Sequence, residues 1–152
     1  MKSKPPVAIC VALTFSLAAC TTRETITEIN PYSSMVAQRF VLKEDCYTYY
    51  YNGHRKQLAM GTPKVNSYLP RDLNPKDLPR RFGSITVNGV VRQGSTFSVV
   101  KIVRSHNIEG SWYEYLANVI LPEARLSMVD VSPIMDLTKH PPVVIKEIAS
   151  EQ

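Results

Sequence analysis

Histidine, cysteine and glycine are scarce in this chain: three, three and six of them in 152 residues. The histidines, His54, His106 and His140, stand more than thirty residues apart. None therefore has a second ligand at the close helical or knuckle spacing of a metal site, and no metal or cofactor is expected. The few glycines form neither a Gly-x-Ser-x-Gly elbow nor a phosphate-binding loop. The cysteines are too few for a disulfide framework. Charged residues make up 20% and the net charge is +5, without a dense basic stripe, so nucleic acid is not an expected partner. No apolar run approaches the about 20 residues that a membrane-spanning helix needs.

What is present begins at the N-terminus. Met1 to Pro6 carry Lys2 and Lys4 and no acid, Val7 to Leu17 are uncharged, and Leu17-Ala18-Ala19-Cys20 follow. A basic segment, an apolar segment of about 7–15 residues and a small-residue cleavage site make a secretory signal peptide. The terminal Leu-Ala-Ala-Cys resembles the lipobox of bacterial lipoproteins, a likeness confined to the first 20 residues. It implies diacylglyceryl transfer to the Cys20 thiol, cleavage between Ala19 and Cys20, and acylation of the new terminus by a chain such as palmitate. In that family an aspartate after the cysteine commonly holds the protein at the inner membrane. Here the residue is Thr21. The resemblance therefore implies lipid anchoring to the outer membrane, facing the periplasm. With Lys2 and Lys4 removed, 16 of the 18 basic residues remain against 13 acidic ones, a net charge of +3. Such a bias suits anionic headgroups or cell-wall polymers.

The chain divides into a signal peptide (1–19), a lipidated N-terminus and polar tether (20–37), one β-rich domain (38–140) and a C-terminal tail or edge strand (141–152). Cys10 leaves with the leader and lipid consumes Cys20. Cys46 is then either buried and inert or open to an intermolecular disulfide. Strand signals start at Phe40-Val41-Leu42 and Cys46 to Tyr51. Asn52-Gly53 ends that run as a hairpin turn, with Leu58 and Met60 on the returning strand. Residues 63–81 hold four prolines and five basic residues, and read as a long, extended, basic loop. Ser84 to Val87 and Val90-Val91 flank a second Asn-Gly, Asn88-Gly89, and Thr96 to Val103 is the most β-rich run.

Residues 112–120 fit two periods. Trp112, Tyr115, Leu116, Val119 and Ile120 mark a helical face, and Ser111 with Glu114 could cap it. Tyr113, Tyr115, Ala117, Val119 and Leu121 alternate as in a strand. Strand signals on both sides favour a hairpin turning at Pro122, and Val143 to Ile145 could add a last edge strand. Five or six short strands predict a mainly β fold, a small barrel or sandwich. Gly94-Ser95-Thr96-Phe97-Ser98-Val99-Val100, followed by Trp112-Tyr113, is similar to bacterial SH3-like domains over about 20 residues. That resemblance implies peptidoglycan as a ligand.

No catalytic constellation emerges, and the expected function is a non-enzymatic binding or assembly module for an envelope protein or peptidoglycan. Cys46 with His54 across the first hairpin is the one conceivable dyad. The candidate binding surface comprises Tyr47, Tyr49 and Tyr51, which alternation puts on one face, with Trp112, and the loop arginines Arg71, Arg80 and Arg81.

Overall fold

The computed structural model describes residues 21–36, 38–53 and 57–135, together with the backbone of 143–146. They form a mainly β fold: ten strands in one sheet, with two short helices. Its backbone is a long hairpin of β7 (Thr96–Asn107) and β8 (Gly110–Ile120), paired from Thr96↔Ile120 to Asn107↔Gly110 with a one-residue bulge at Val100. β-branched residues favour the pleated conformation of β7. At the turn, the Asn107 side chain accepts from the Glu109 N–H, and Gly110 takes φ 143, open to glycine without strain. Residues 112–120 are accordingly strand and not helix. β8 pairs with β7 along its length and, from Leu116 on, with β9 (Arg125–Asp130), while the Tyr115 N–H donates to Ser132 Oγ, so its backbone is satisfied as strand.

Beyond β9 lie β4 (Ala59–Gly61), β3 (Cys46–Tyr51), β6 (Ile85–Val91) and β5 (Arg80–Phe82); beyond β7 lie β2 (Arg39–Leu42) and β10 (Val143–Lys146). β10 pairs with β2, so the expected edge strand at Val143 to Ile145 is present. The two ends of the sheet, β10 and β5, do not pair with each other, so this is an open sheet and not a closed barrel. The expected five or six strands fall short in part because β1 (Thr22–Thr25) and β5 are only four and three residues long. Such segments are too brief for an alternating pattern to register.

Three expectations are corrected. Residues 21–36 are not a free tether. β1 pairs with the outer half of β7, Thr22 opposite His106 and Thr25 opposite Val103, and Ile26 is buried in the main core. Helix α1 (Tyr32–Val36) then lays Tyr32 against Tyr113, ring centroids 5.5 Å apart. Thr and Ser in this stretch, read as tether composition, serve equally well on an exposed strand. Asn88-Gly89 is likewise no turn, because β6 runs straight through it. The pairing passes from Thr48↔Gly89 to Tyr49↔Val87, leaving Asn88 as a bulge. Gly89 fits closely there: a Cβ would stand 3.3 Å from Thr48 Oγ1, a tight contact. β3 and β4 are antiparallel neighbours, Met60 opposite Thr48, but their innermost pair is Tyr49↔Ala59, so Asn52-Gly53 is not a two-residue hairpin turn. It begins a longer connection in which residues 54–56 lie outside the described residues, and Leu58 lies one residue before β4.

The third correction concerns residues 63–81. Arg80 and Arg81 belong to β5, and Pro75–Asp77 form a 3-10 turn capped by Asn74. Nor is the remainder simply extended: residues 62–69 fold into consecutive turns, with Val65 and Asn66 N–H donating to the Thr62 carbonyl and Leu69 N–H to that of Asn66. Leu69 is buried, and Leu73 and Leu78 pack on a second core cluster of Tyr49, Ala59, Ile85 and Val87. The main cluster gathers Phe40, Leu42, Cys46, Met60, Phe97, Val99, Ile102, Val119 and Ile134 of α2 (Ser132–Met135), with the Phe40 and Phe97 rings stacked at 5.1 Å.

Candidate functional site

Alternation along β3 sends Cys46 into the main core, while Tyr47 and Tyr49 face the second cluster. Tyr49 has no exposed surface, and burial pushes its hydroxyl pKa above the ordinary value. Tyr51 is 44% exposed and meets the Tyr49 ring edge-on at 5.5 Å. Trp112 sits opposite Ser105 on β8, three strands from β3 in the sheet order. The proposed aromatic platform is therefore not assembled. Its central ring is core, because a chain with few large aliphatic residues in β3 uses tyrosine to fill space.

The arginines also separate. Arg80 places its guanidinium 5.4 Å from the centre of the Phe82 ring, and Arg81 donates from Nε to the Gly83 carbonyl. Both guard an edge strand, a place where charge discourages further pairing. Arg71 behaves differently. It lines a cavity of about 520 Å³ together with Tyr47, Thr62, Pro63, Lys64, Glu44 and Asp45. Two residues singled out in the sequence, Tyr47 and Arg71, thus converge. The loop reaches over β3 because Leu69 is anchored beneath it.

Most charge in this cavity is internally balanced. Lys64 pairs with Glu44 at 2.7 Å. Asp45 accepts from the Gln93 N–H at 2.8 Å and from Arg92 at 2.6 Å. The Gln93 amide first, and then Arg92, hold the Asp45 carboxyl below the usual carboxylate range. Arg71 has no ion-pair partner among the described residues. The Thr62 hydroxyl, in a residue only 2% exposed, has no hydrogen-bond partner there either. One uncompensated guanidinium beside a tyrosine ring and a proline suits a carboxylate or phosphate carried on a ring or apolar stem.

Two further depressions were not foreseen. The larger, about 770 Å³, lies between β3–β4 and β8–β9 and includes Arg23, Tyr50, Leu58, Glu114, Leu126 and Met128. Buried Glu114 binds Arg23 at 2.5 Å, a pairing across 91 residues that no local pattern announces. Ser127 and Met128 bulge from β9 opposite Asn118, and Met128 takes a left-handed φ of 57. The smaller, about 370 Å³, is lined by Thr22, Glu24, Arg104, His106 and Ser111. There His106 Nδ1 and Ser111 Oγ lie 2.8 Å apart as cross-strand neighbours, while Glu24 is engaged by Arg104. The geometry makes an exposed polar pair, and among the described residues no group is hydrogen-bonded behind the histidine as a nucleophile–base–acid chain would need.

Cys46 is fully buried, which removes the intermolecular disulfide in the folded state. Burial first, then the Glu44 and Asp45 charges, push its thiol pKa up to about 12. Reactive cysteines are shifted the other way. In the native protein this thiol is expected to resist alkylation at neutral pH and to react only on unfolding, which mass spectrometry after timed exposure to iodoacetamide would measure. Because the folded pKa lies above the ordinary 9.0, the unfolded chain releases the proton first as pH rises. Stability from this group is present in full below pH 9 and declines between pH 9 and about 12. Its proposed partner His54 lies outside the described residues, as do His140, Ala19 and Cys20.

Among the described residues no group of three or more His, Cys, Asp or Glu side chains could hold a metal ion, and no helix is long and apolar enough to cross a membrane. No protein family matches the chain, and neither a characterised protein nor a solved structure matches it.

Proposed function

We propose that this chain is an exported lipoprotein: cleaved before Cys20, acylated on that residue, and held at the periplasmic face of the outer membrane as a non-enzymatic binding or assembly module. The observation that carries the reading is Leu17-Ala18-Ala19-Cys20 placed directly behind a basic and then an apolar segment. Two or three acyl chains would fix such a protein at a membrane, where one alone binds only marginally. The cavity beneath the 63–81 loop is the ligand site. A mature domain with a net charge of +3, in which Arg71 at the cavity has no ion-pair partner among the described residues, is suited to anionic envelope components.

The convergence of Tyr47 and Arg71 on that cavity favours a second, narrower reading, in which the ligand is peptidoglycan and its carboxylates meet Arg71. Co-sedimentation with purified sacculi tests it. The protein is expected to pellet with the sacculi, and Arg71→Glu to weaken binding by about tenfold or more, the value of one charge-assisted contact. Equal binding by wild type and Arg71→Glu would remove this cavity from the reading. A wild type left in the supernatant would remove peptidoglycan and leave a protein partner in the envelope.

A further inference from the structure

We infer that the β7–β8 turn is a membrane-contacting tip: in the anchored protein Ile108 enters the boundary between headgroups and acyl chains, and Trp112 lies among the headgroups beside it. The inference rests on lipidation of Cys20 and concerns what that anchor does to the orientation of the domain.

The register of β1 carries the argument. β1 runs antiparallel to β7 and places Thr22 opposite His106, two residues before Ile108. Cys20 is two residues before Thr22. Covalent reach alone keeps it within about 7 Å of that rung, whatever path the chain takes. Each headgroup layer of a bilayer is about 5–7 Å thick. An acyl chain joined to Cys20 starts at the inner boundary of that layer, and its thioether-linked glycerol adds only a few bonds, so the Thr22–His106 rung is held close to the membrane surface. With a free tether of some fifteen residues the domain could take any orientation. With β1 paired, the anchor and the hairpin turn are forced to the same end of the molecule.

The side chains at that end fit the environment. Ile108 is 88% exposed, more than any other large apolar side chain among the described residues. In water it has no packing partner to justify its place at an apex. Trp112, opposite Ser105, lies two rungs from the turn and is 37% exposed. Its indole is apolar in body with one N–H donor, the combination that favours the membrane–water interface. Arg23 and Arg104, on adjacent rungs and hence on opposite faces of the ribbon, keep about half of each side chain exposed, at 50% and 45%. Each is already paired with a carboxylate, Arg23 with Glu114 and Arg104 with Glu24, so they present ion pairs and not free cations at headgroup level. Glu109, the carboxylate of the turn, limits the depth to the headgroup boundary.

Trp112 is the single tryptophan of the chain, so its fluorescence reports the tip without a label. The full-length gene product, expressed in a diderm bacterium with labelled palmitate and extracted in detergent, is reconstituted into vesicles of phosphatidylethanolamine and phosphatidylglycerol. Trp112 emission is expected to shift to the blue and to be quenched when the lipids carry brominated acyl chains. Ile108→Asp should keep its palmitate and lose the quenching to the level seen without bromine, while Ile108→Leu should keep both. A palmitoylated wild type whose emission ignores the brominated chains would overturn the inference and leave the lipoprotein reading standing, as would Ile108→Asp quenched as strongly as wild type. A wild type without palmitate would remove the lipoprotein reading and this inference with it.

Discussion

Cys20→Ser, expressed in a diderm bacterium, is expected to lose all incorporated palmitate, to leave the outer-membrane fraction, and to keep the precursor mass of 17.1 kDa. The reasoning is chemical. A diacylglyceryl group is attached through a thioether, and a serine hydroxyl is a far weaker nucleophile than a thiolate. In the lipoproteins that the lipobox resembles, cleavage follows lipidation, so an unmodified chain keeps residues 1–19. The energetic consequence is large. Each buried methylene contributes about 0.8 kcal/mol, and a single myristoyl-length chain already gives a binding constant of about 10⁴ M⁻¹. Removing two or three chains therefore abolishes stable outer-membrane attachment instead of weakening it. Palmitate labelling with membrane fractionation reads both effects, and undiminished labelling of Cys20→Ser would place the acyl group elsewhere.

Tyr49→Ala is expected to destabilise the domain by about 3–5 kcal/mol, the usual cost of emptying a large aromatic core position. Tyr49 is wholly buried between Ala59, Ile85 and Val87, with Leu69 of the loop in the same cluster. Gly61 packs so closely that a Cβ there would stand 3.4 Å from the ring. Small domains have only about 5–15 kcal/mol in all, so this loss would bring the protein near its folding threshold. It would also release the loop that forms the cavity roof. Tyr47→Ala, on a half-buried residue of the same strand face, is expected to cost about 1 kcal/mol. Urea denaturation followed by circular dichroism distinguishes the two. Equal, small effects would mean that Tyr49 is a surface aromatic after all.

These tyrosines also show how far the sequence could be read. Their alternation in β3 was legible, since period 2 follows from strand geometry alone. Which side of the strand would be covered was not, because the cover comes from Leu69, Leu73 and Leu78 on a loop whose composition suggests solvent. The two Asn-Gly pairs make the same point. Asn52-Gly53 follows the end of β3, while Asn88-Gly89 bulges inside β6, because β3 pairs with β6 on both sides of it, from Val91 to Gly89 and from Val87 to Ile85. A dipeptide records local permission, and long-range pairing decides its use. Residues 112–120 were resolved the same way, by strands to either side and against a respectable helical spacing. Tyr47 and Arg71 could be named as candidates one at a time. Their meeting, like that of Arg23 and Glu114, is a property of the folded sheet and leaves no trace in spacing.

The largest departure from expectation lies at the N-terminus, where composition suggested a tether and the fold contains a strand. It would make the proposed anchor at Cys20 a fixed point beside a hairpin turn and not a leash. All of this depends on what Cys20 becomes. Intact-mass and peptide mass spectrometry of the protein extracted from bacterial membranes tests it most directly. The account predicts a chain that lacks residues 1–19 and starts at Cys20, with the mass of a diacylglyceryl group and further acylation on that residue. A chain that still starts at Met1, or one cut before a Cys20 that bears no lipid, would contradict it.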